Sequence, residues 1–223
     1  MTRPETIGES GTANPSTSVA TKRKRIRRPK SDRRPQIADA ALLILAREGA
    51  RGVTHRTVDR YLGLPEGSTS YYFRTRLELL SAAANRLVEL DLLDMAWQAE
   101  MAKRPVGTVR IEEYADRLTD TLLDWLSPRK RDRTLAKCEL YLETSRDEAI
   151  RKIMLKIREQ FSKDMKNVFR ILGAKDPNKA TNALLLYTLG AAYAHALIPP
   201  RKLDRRALRL ETRDLVTACK NGR

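Results

Sequence analysis

Between Thr54 and Phe73 two short helix-forming stretches are separated by Gly63-Leu64-Pro65-Glu66-Gly67, and few folds accommodate that spacing. Thr54 can cap a helix carrying Val58, Tyr61 and Leu62, and Gly63 ends it. Leu64-Pro65-Glu66-Gly67 makes a tight turn, and a second short helix runs to Tyr72 and Phe73. Upstream, Ile37, Ala40, Ala41, Ile44 and Leu45 recur at helical spacing until a stop at Gly49. Two short helices joined by a turn of about four residues, behind a packing helix, form a helix-turn-helix. In that arrangement Val58 and Leu62 hold the second helix on the first, and Gly63 lets the chain reverse. The third helix presents polar and aromatic side chains while Phe73 plugs the core.

The remainder reads as helix throughout. Thr75-Arg76-Leu77-Glu78 is a capping-box pattern, with Thr75 as N-cap and Glu78 at the third helical position. The helix it opens is expected to continue to Met101, ending before Arg104-Pro105. Further helices are expected at 108–126, 132–145, 147–172, 178–197 and 204–219. Their punctuation is Pro128, Ser145-Arg146-Asp147, Gly173 to Pro177, and Pro199-Pro200. No repeat period is visible and no strand is required. The fold class is all-α: an N-terminal three-helix helix-turn-helix domain over 35–80, and a C-terminal helical bundle domain over 81–223.

Charge points to an anionic partner. The net charge is +16, and residues 1–34 carry ten Lys or Arg against three acids, a net of +7. Residues 35–80 carry six against five, and residues 81–223 twenty-eight against twenty. The densest charge, Lys22 to Arg34, is expected in a disordered basic arm over 1–34. Such an arm either solubilises the chain or lies along phosphates and enters the minor groove.

Several classes are disfavoured. Cys138 and Cys219 make no disulfide framework and suit a reducing cytosol. With only two histidines, metal-ligand spacing is missing, and no metal or cofactor is expected. No apolar signal core opens the sequence, and the stretch from Ala183 to Ile198 is too short for a membrane span. A soluble, cytoplasmic protein is expected. No nucleophile–base–orienter set or phosphate loop is present, so it is not expected to be an enzyme.

Over residues 37–80 the sequence resembles the tetracycline-repressor (TetR) family of transcriptional regulators. Ile37, Ala40-Ala41, Gly49, Thr54, Val58, Gly63-Leu64, Gly67, Tyr72-Phe73 and Leu79-Leu80 carry the resemblance, in order and without a gap. Four positions depart from the common pattern. Asp59 stands where a small residue is frequent, Pro65 where Ser or Thr is, Ser70 where Tyr is, and Arg76 where Lys is. The resemblance implies DNA contacts from Thr54, His55 and Arg56, from Glu66, Gly67, Ser68, Thr69, Tyr71 and Tyr72, and from Arg76. Helix N-termini offer free amides to phosphate, which suits Thr54 and the Thr75-Arg76 pair. Ser68, Thr69 and Tyr71 are the candidates for reading base edges or thymine methyls. His55 is either a DNA contact or a solvated helix start, and Tyr72 either touches phosphate or packs beside Phe73. Glu66 repels phosphate, and it either caps the short helix or reads cytosine.

The same resemblance implies a homodimer through the helices near 178–197 and 204–219. Ala183, Leu184, Leu186, Leu189, Gly190, Ala191 and Ala194 lie on more than one face of the first, which is expected to be buried on more than one side. Leu208, Leu215 and Val216 form one stripe of the second. A dimer also matches two DNA half-sites about one duplex turn, ~34–36 Å, apart. The family implies an effector among the middle helices, where Trp125, Cys138, Tyr141, Tyr187, Tyr193 and His195 combine apolar bodies with polar tips. The expectation is a repressor released from its double-stranded DNA operator by a small molecule. The alternative is a ligand-independent dimer controlled by a protein partner or by abundance.

Overall fold

A computed structural model describes residues 32–198 and 204–222. The arm expected over 1–34 lies outside the described residues apart from its last three. Of these, Arg34 already opens the first helix, with Pro35 in the first turn where its missing amide has no helical partner to lose. The break expected at Pro199-Pro200 also lies outside them. Among the described residues there are ten helices and no strand.

The N-terminal helices are α1 (Arg34–Gly52), α2 (His55–Tyr61) and α3 (Ser68–Tyr72). At Gly49 the backbone leaves the helical path, and a last short turn carries α1 to Gly52. The Thr54 hydroxyl accepts from the Thr57 amide at 3.1 Å and so caps α2. Gly63 (φ 62°) and Gly67 (φ 87°) place the two left-handed residues of the turn, a conformation that penalises any side chain with a Cβ.

Next come α4 (Arg76–Asp94) and α5 (Ala96–Met101). Thr75 caps α4 by accepting from the Glu78 amide at 3.1 Å. Glu78 reaches back to the Arg74 amide at 2.6 Å, one residue before the usual target of a capping box. The single helix expected over 76–101 is interrupted at Met95, whose side chain is buried. Just before the interruption, Asp94 turns into a polar cluster, taking hydrogen bonds from the Trp125 indole and from Lys130, both at 2.8 Å.

The rest of the chain forms α6 (Ile111–Trp125), α7 (Arg131–Glu143), α8 (Glu148–Ile171), α9 (Pro177–Leu197) and α10 (Arg205–Asn221). The last three share one local device. Asp147, Asp176 and Asp204 each accept two backbone amides of the first turn, where a negative charge also meets the positive end of the helix dipole. Along α10, Arg205, Arg209 and Arg213 pair with Asp120, Asp116 and Glu112 of α6, fixing an antiparallel register. All six are solvent-facing, so the ladder contributes little stability beyond that register.

Two hydrophobic clusters hold the helices. In the first, Ile37, Leu45 and Val58 pack with Leu79, Leu87, Leu140, Ile150 and Met154, so α1, α2, α4, α7 and α8 share one core. In the second, Tyr114, Leu118, Leu122, Val168, Phe169, Leu184 and Val216 join α6, α8, α9 and α10. Helix α8 thus runs through both. Replacing a fully buried leucine such as Leu140 by alanine costs about 2–5 kcal/mol in such surroundings. On α9, Leu184 and Thr188 are buried, but Ala183, Leu186, Gly190, Ala194 and Leu197 form an exposed stripe. The burial on more than one side expected for this helix is not complete within a single chain.

Candidate nucleic-acid interface

The turn between α2 and α3 is organised by Asp59, in sequence only a departure from the family pattern. Asp59 is buried, and its carboxylate accepts the Gly67 amide at 2.8 Å. It also accepts the Thr69 amide at 2.8 Å and the Thr69 hydroxyl at 2.6 Å. Two free amides at the start of α3 are thereby satisfied from α2, with a negative charge at the positive end of the helix. This explains why Asp is accommodated where a small residue is frequent. It also corrects the role assigned to Glu66, which does not cap α3 but lies 3.5 Å from Arg56 across the exposed outer side of the motif.

The expected contact residues fall into two groups. Arg56, Glu66, Gly67 and Tyr71 are exposed, with Tyr71 at 73%. The edge of Tyr71 meets the ring of Tyr72 at 5.1 Å, and Tyr72 is half-buried under the Arg34 guanidinium. Ser68 donates to the Pro65 carbonyl at 2.6 Å, which closes the turn. Ser70, outside the expected contact set, is exposed on the same short helix and donates to the Gly67 carbonyl at 2.9 Å.

The second group is held by bonds within the domain. Thr69 has no exposed surface, and with its hydroxyl and amide on Asp59 it cannot read a base edge; the structure corrects that expectation. Half-buried His55 bonds through Nε2 to the Phe73 carbonyl at 2.7 Å, tying the start of α2 to the end of α3. The Arg76 guanidinium donates to the Ala50 carbonyl, joining the start of α4 to the end of α1. Thr54 is half-buried and holds the Thr57 hydroxyl at 2.7 Å in addition to its amide.

The six pocket candidates do not converge on one place. Trp125 and Tyr141 line a cavity of about 110 Å³ bounded by α4, α6, α7, α8 and α9. Tyr187 and His195 instead line a groove among α6, α9 and α10. Tyr193 lies beside Tyr141, with ring centres 6.1 Å apart, but does not line the cavity. Cys138 is half-buried outside it, and burial pushes its thiol pKa up to about 11.

The cavity has charged walls that were not anticipated. Asp91 is 1% exposed and meets the Lys137 ammonium at 2.5 Å. That ammonium lies 4.5 Å above the centre of the Trp125 ring, a cation–π position. Arg133 and Lys130 continue the network to Asp94, and Lys130 also meets Asp124. Burial lowers the Arg133 pKa, against the opposing pull of Asp91. Three acids of α4 and α6 thus face three cations at or just before α7, and the first turn of α7 is joined to α1 by Arg47 and Asp132 at 3.0 Å. Arg158 of α8 completes the lining. Among the described residues no helix is long and apolar enough to cross a membrane.

Comparison with known proteins agrees with this architecture. Residues 109–219 match a family described as tetracyclin repressor-like, C-terminal domain. A TetR-family member from Streptomyces coelicolor A3 superposes with a TM-score of 0.64 at 26% identity, over 83% of this chain and 98% of that one. A transcriptional regulator from Saccharomonospora viridis, solved in complex with choline, gives a TM-score of 0.66 at 20% identity, over 82% and 95%. The multidrug binding protein EbrR complexed with ethidium gives 0.58 at 25% identity, over 83% and 99%. No curated protein matches the chain. The matched C-terminal helices and a helix-turn-helix placed ahead of them make the chain a member of the TetR family of transcriptional regulators.

Proposed function

We propose that the protein is a homodimeric repressor that leaves its operator when a small molecule enters the cavity beside Asp91. The observation that carries the DNA half is α3 itself. Its inner side is held by Asp59 through Thr69, and its outer side leaves Tyr71 exposed, as Arg56 and Gly67 also are. On this reading Arg56, Ser68, Ser70 and Tyr71 meet the major groove and the amides left free at the starts of α2 and α4 meet phosphates. Thr69 and His55 keep the two helices in register without touching DNA.

The exposed stripe of α9 supports pairing with a second copy. Leu186 is 67% exposed, and Gly190 and Ala194 along the same line allow close helix approach. The relatives solved with choline and with ethidium support a small-molecule effector of some kind. The test is to select an operator from random duplexes and to measure its affinity against a broad panel of compounds. Loss of affinity with one compound supports effector control, while an unchanged affinity across the panel leaves a ligand-independent dimer.

A further inference from the structure

The cavity beside Asp91 has features that select its occupant, and the inference drawn from them rests on the effector reading above. Its walls are mostly apolar, from Leu87 and Val88 of α4, Met154 and Ile157 of α8, and Leu189 and Ala192 of α9. Its volume of about 110 Å³ limits the guest to one ring, since an apolar cavity of roughly 150 Å³ holds a single benzene. Leu186 belongs both to this lining and to the exposed stripe of α9, so the cavity reaches the surface there.

Two buried polar atoms in this region make no hydrogen bond among the described residues. Asp91 Oδ1 is buried with no hydrogen bond among the described residues, and the Arg133 guanidinium stands off from it at 3.6 Å. The Tyr193 hydroxyl is buried without a partner beside Tyr141. Burial foremost, and then the neighbouring Tyr141, Cys138 and Asp91, raise the pKa of that hydroxyl and keep it protonated. Buried polar atoms are nearly always satisfied, so an unmatched carboxylate oxygen is a position for a donor that the protein does not supply.

Charge decides what kind of donor. Asp91 is already neutralised by Lys137, whose ammonium also occupies the face of Trp125. An incoming cation finds that place filled, with Arg133 and Arg158 nearby. An incoming carboxylate confronts Asp91 itself. A cation finds no free carboxylate there, and the cation open to a carboxylate, Arg158, is exposed at the rim, so a carboxylate placed beside Asp91 would lose its hydration without a counter-charge at hand.

We propose that the cavity takes a small neutral hydroxylated ring compound, of the phenol or alicyclic alcohol class, whose hydroxyl donates to Asp91 Oδ1. The ring lies among Met154, Ile157 and Leu189. A donor on Asp91 Oδ1 draws charge from the carboxylate that holds Lys137 through Oδ2, and so acts on the tie between α4 and α7, the two helices that reach α1 through Arg76 and Asp132.

The test uses the full chain, with phenol and cyclohexanol as neutral probes and benzylammonium and benzoate as charged probes of similar size. Binding is read by tryptophan fluorescence and calorimetry, and operator affinity is measured in parallel. Saturable binding of phenol and cyclohexanol at least tenfold tighter than that of both charged probes is the expected result. Ile157→Trp fills the cavity and should abolish phenol binding while circular dichroism stays unchanged. If that variant is unfolded, Ala192→Leu serves the same purpose from α9. Absence of phenol binding, equal or tighter binding of a charged probe, or unaltered phenol binding by a folded cavity-filled variant overturns the proposal. Phenol that binds without changing operator affinity upholds the ligand class and removes its role as effector. A charged probe that releases the operator overturns the ligand class and upholds effector control.

Discussion

Asp59 Oδ1 accepts both the backbone amide and the side-chain hydroxyl of Thr69, at 2.8 and 2.6 Å, inside the helix-turn-helix. The pair joins α2 to α3 by polar contacts that add to the packing of Tyr72 on the core, since α3 has five residues and little surface of its own to bury. Hydrogen bonds to a charged group contribute about 1.5–3 kcal/mol, and a buried amide left without a partner costs about 1–3 kcal/mol. Asp59→Ala is therefore expected to destabilise the protein by about 2–4 kcal/mol, and Thr69→Val by about 1 kcal/mol. Urea unfolding followed by circular dichroism checks both. Equal losses for the two variants would contradict the central place given to the carboxylate.

Arg76 bridges α4 to the Ala50 carbonyl, so its role in DNA binding is separable from its role in the fold. Arg76→Ala should lower stability by about 1 kcal/mol. If the guanidinium also meets phosphate, the variant weakens binding to all sequences alike and makes the salt dependence shallower by about one unit. A lowered unfolding midpoint with an unchanged salt slope assigns Arg76 to the helix junction alone.

Tyr71 is the most exposed aromatic of α3, and its substitution should alter which sequences are chosen. Tyr71→Ala is expected to change the preferred base at one or two positions by about 1–3 kcal/mol of discrimination while general affinity falls less. Selection from a randomised duplex pool, run beside the parent protein, gives the comparison. An identical preferred sequence removes Tyr71 from base readout.

The stripe on α9 predicts a separable effect on assembly. Leu186→Glu places a charge on the exposed line of Ala183, Gly190 and Ala194 without touching the buried Leu184. The variant should sediment as a monomer with its helical content intact, and should bind a two-half-site operator at least a hundredfold more weakly. A variant that still sediments as a dimer moves the interface elsewhere.

Much of the motif was legible because its signals are local. Thr54, Gly63, Gly67 and Thr75 act on neighbours within a few residues, through caps and left-handed turns, and the chain reads the same way in three dimensions. The residues that were misplaced act across distance. Thr69 has the chemistry of a base-reading side chain, and only the arrival of Asp59 from the preceding helix turns it inward. Glu66 has the chemistry of a cap, but Asp59 already holds that place. The cavity shows the same limit from the other side. Aromatic residues with polar tips are the lining that sequence suggests, yet Asp91 and Lys137 line it beside Trp125. Charged side chains are ordinarily read as surface, and pairing across α4 and α7 is what allows these two inside. The break at Met95 was also hidden, since it follows from where Asp94 finds its partners and not from a proline or glycine.

The network of Asp91, Asp94 and Asp124 with Lys130, Arg133 and Lys137 also bears on how this protein responds to ionic strength. Apart from Asp124, its members are 2–20% exposed along their side chains, and mobile ions screen charges so placed far less than charges in open water. Protein–phosphate contacts lie in open water and weaken steeply as salt rises. Raising salt thus strips the nucleic acid while the buckle between α4 and α7 stays fastened. A potassium chloride titration of operator binding then reports on the phosphate contacts alone, and the protein recovered from it is still in its native state.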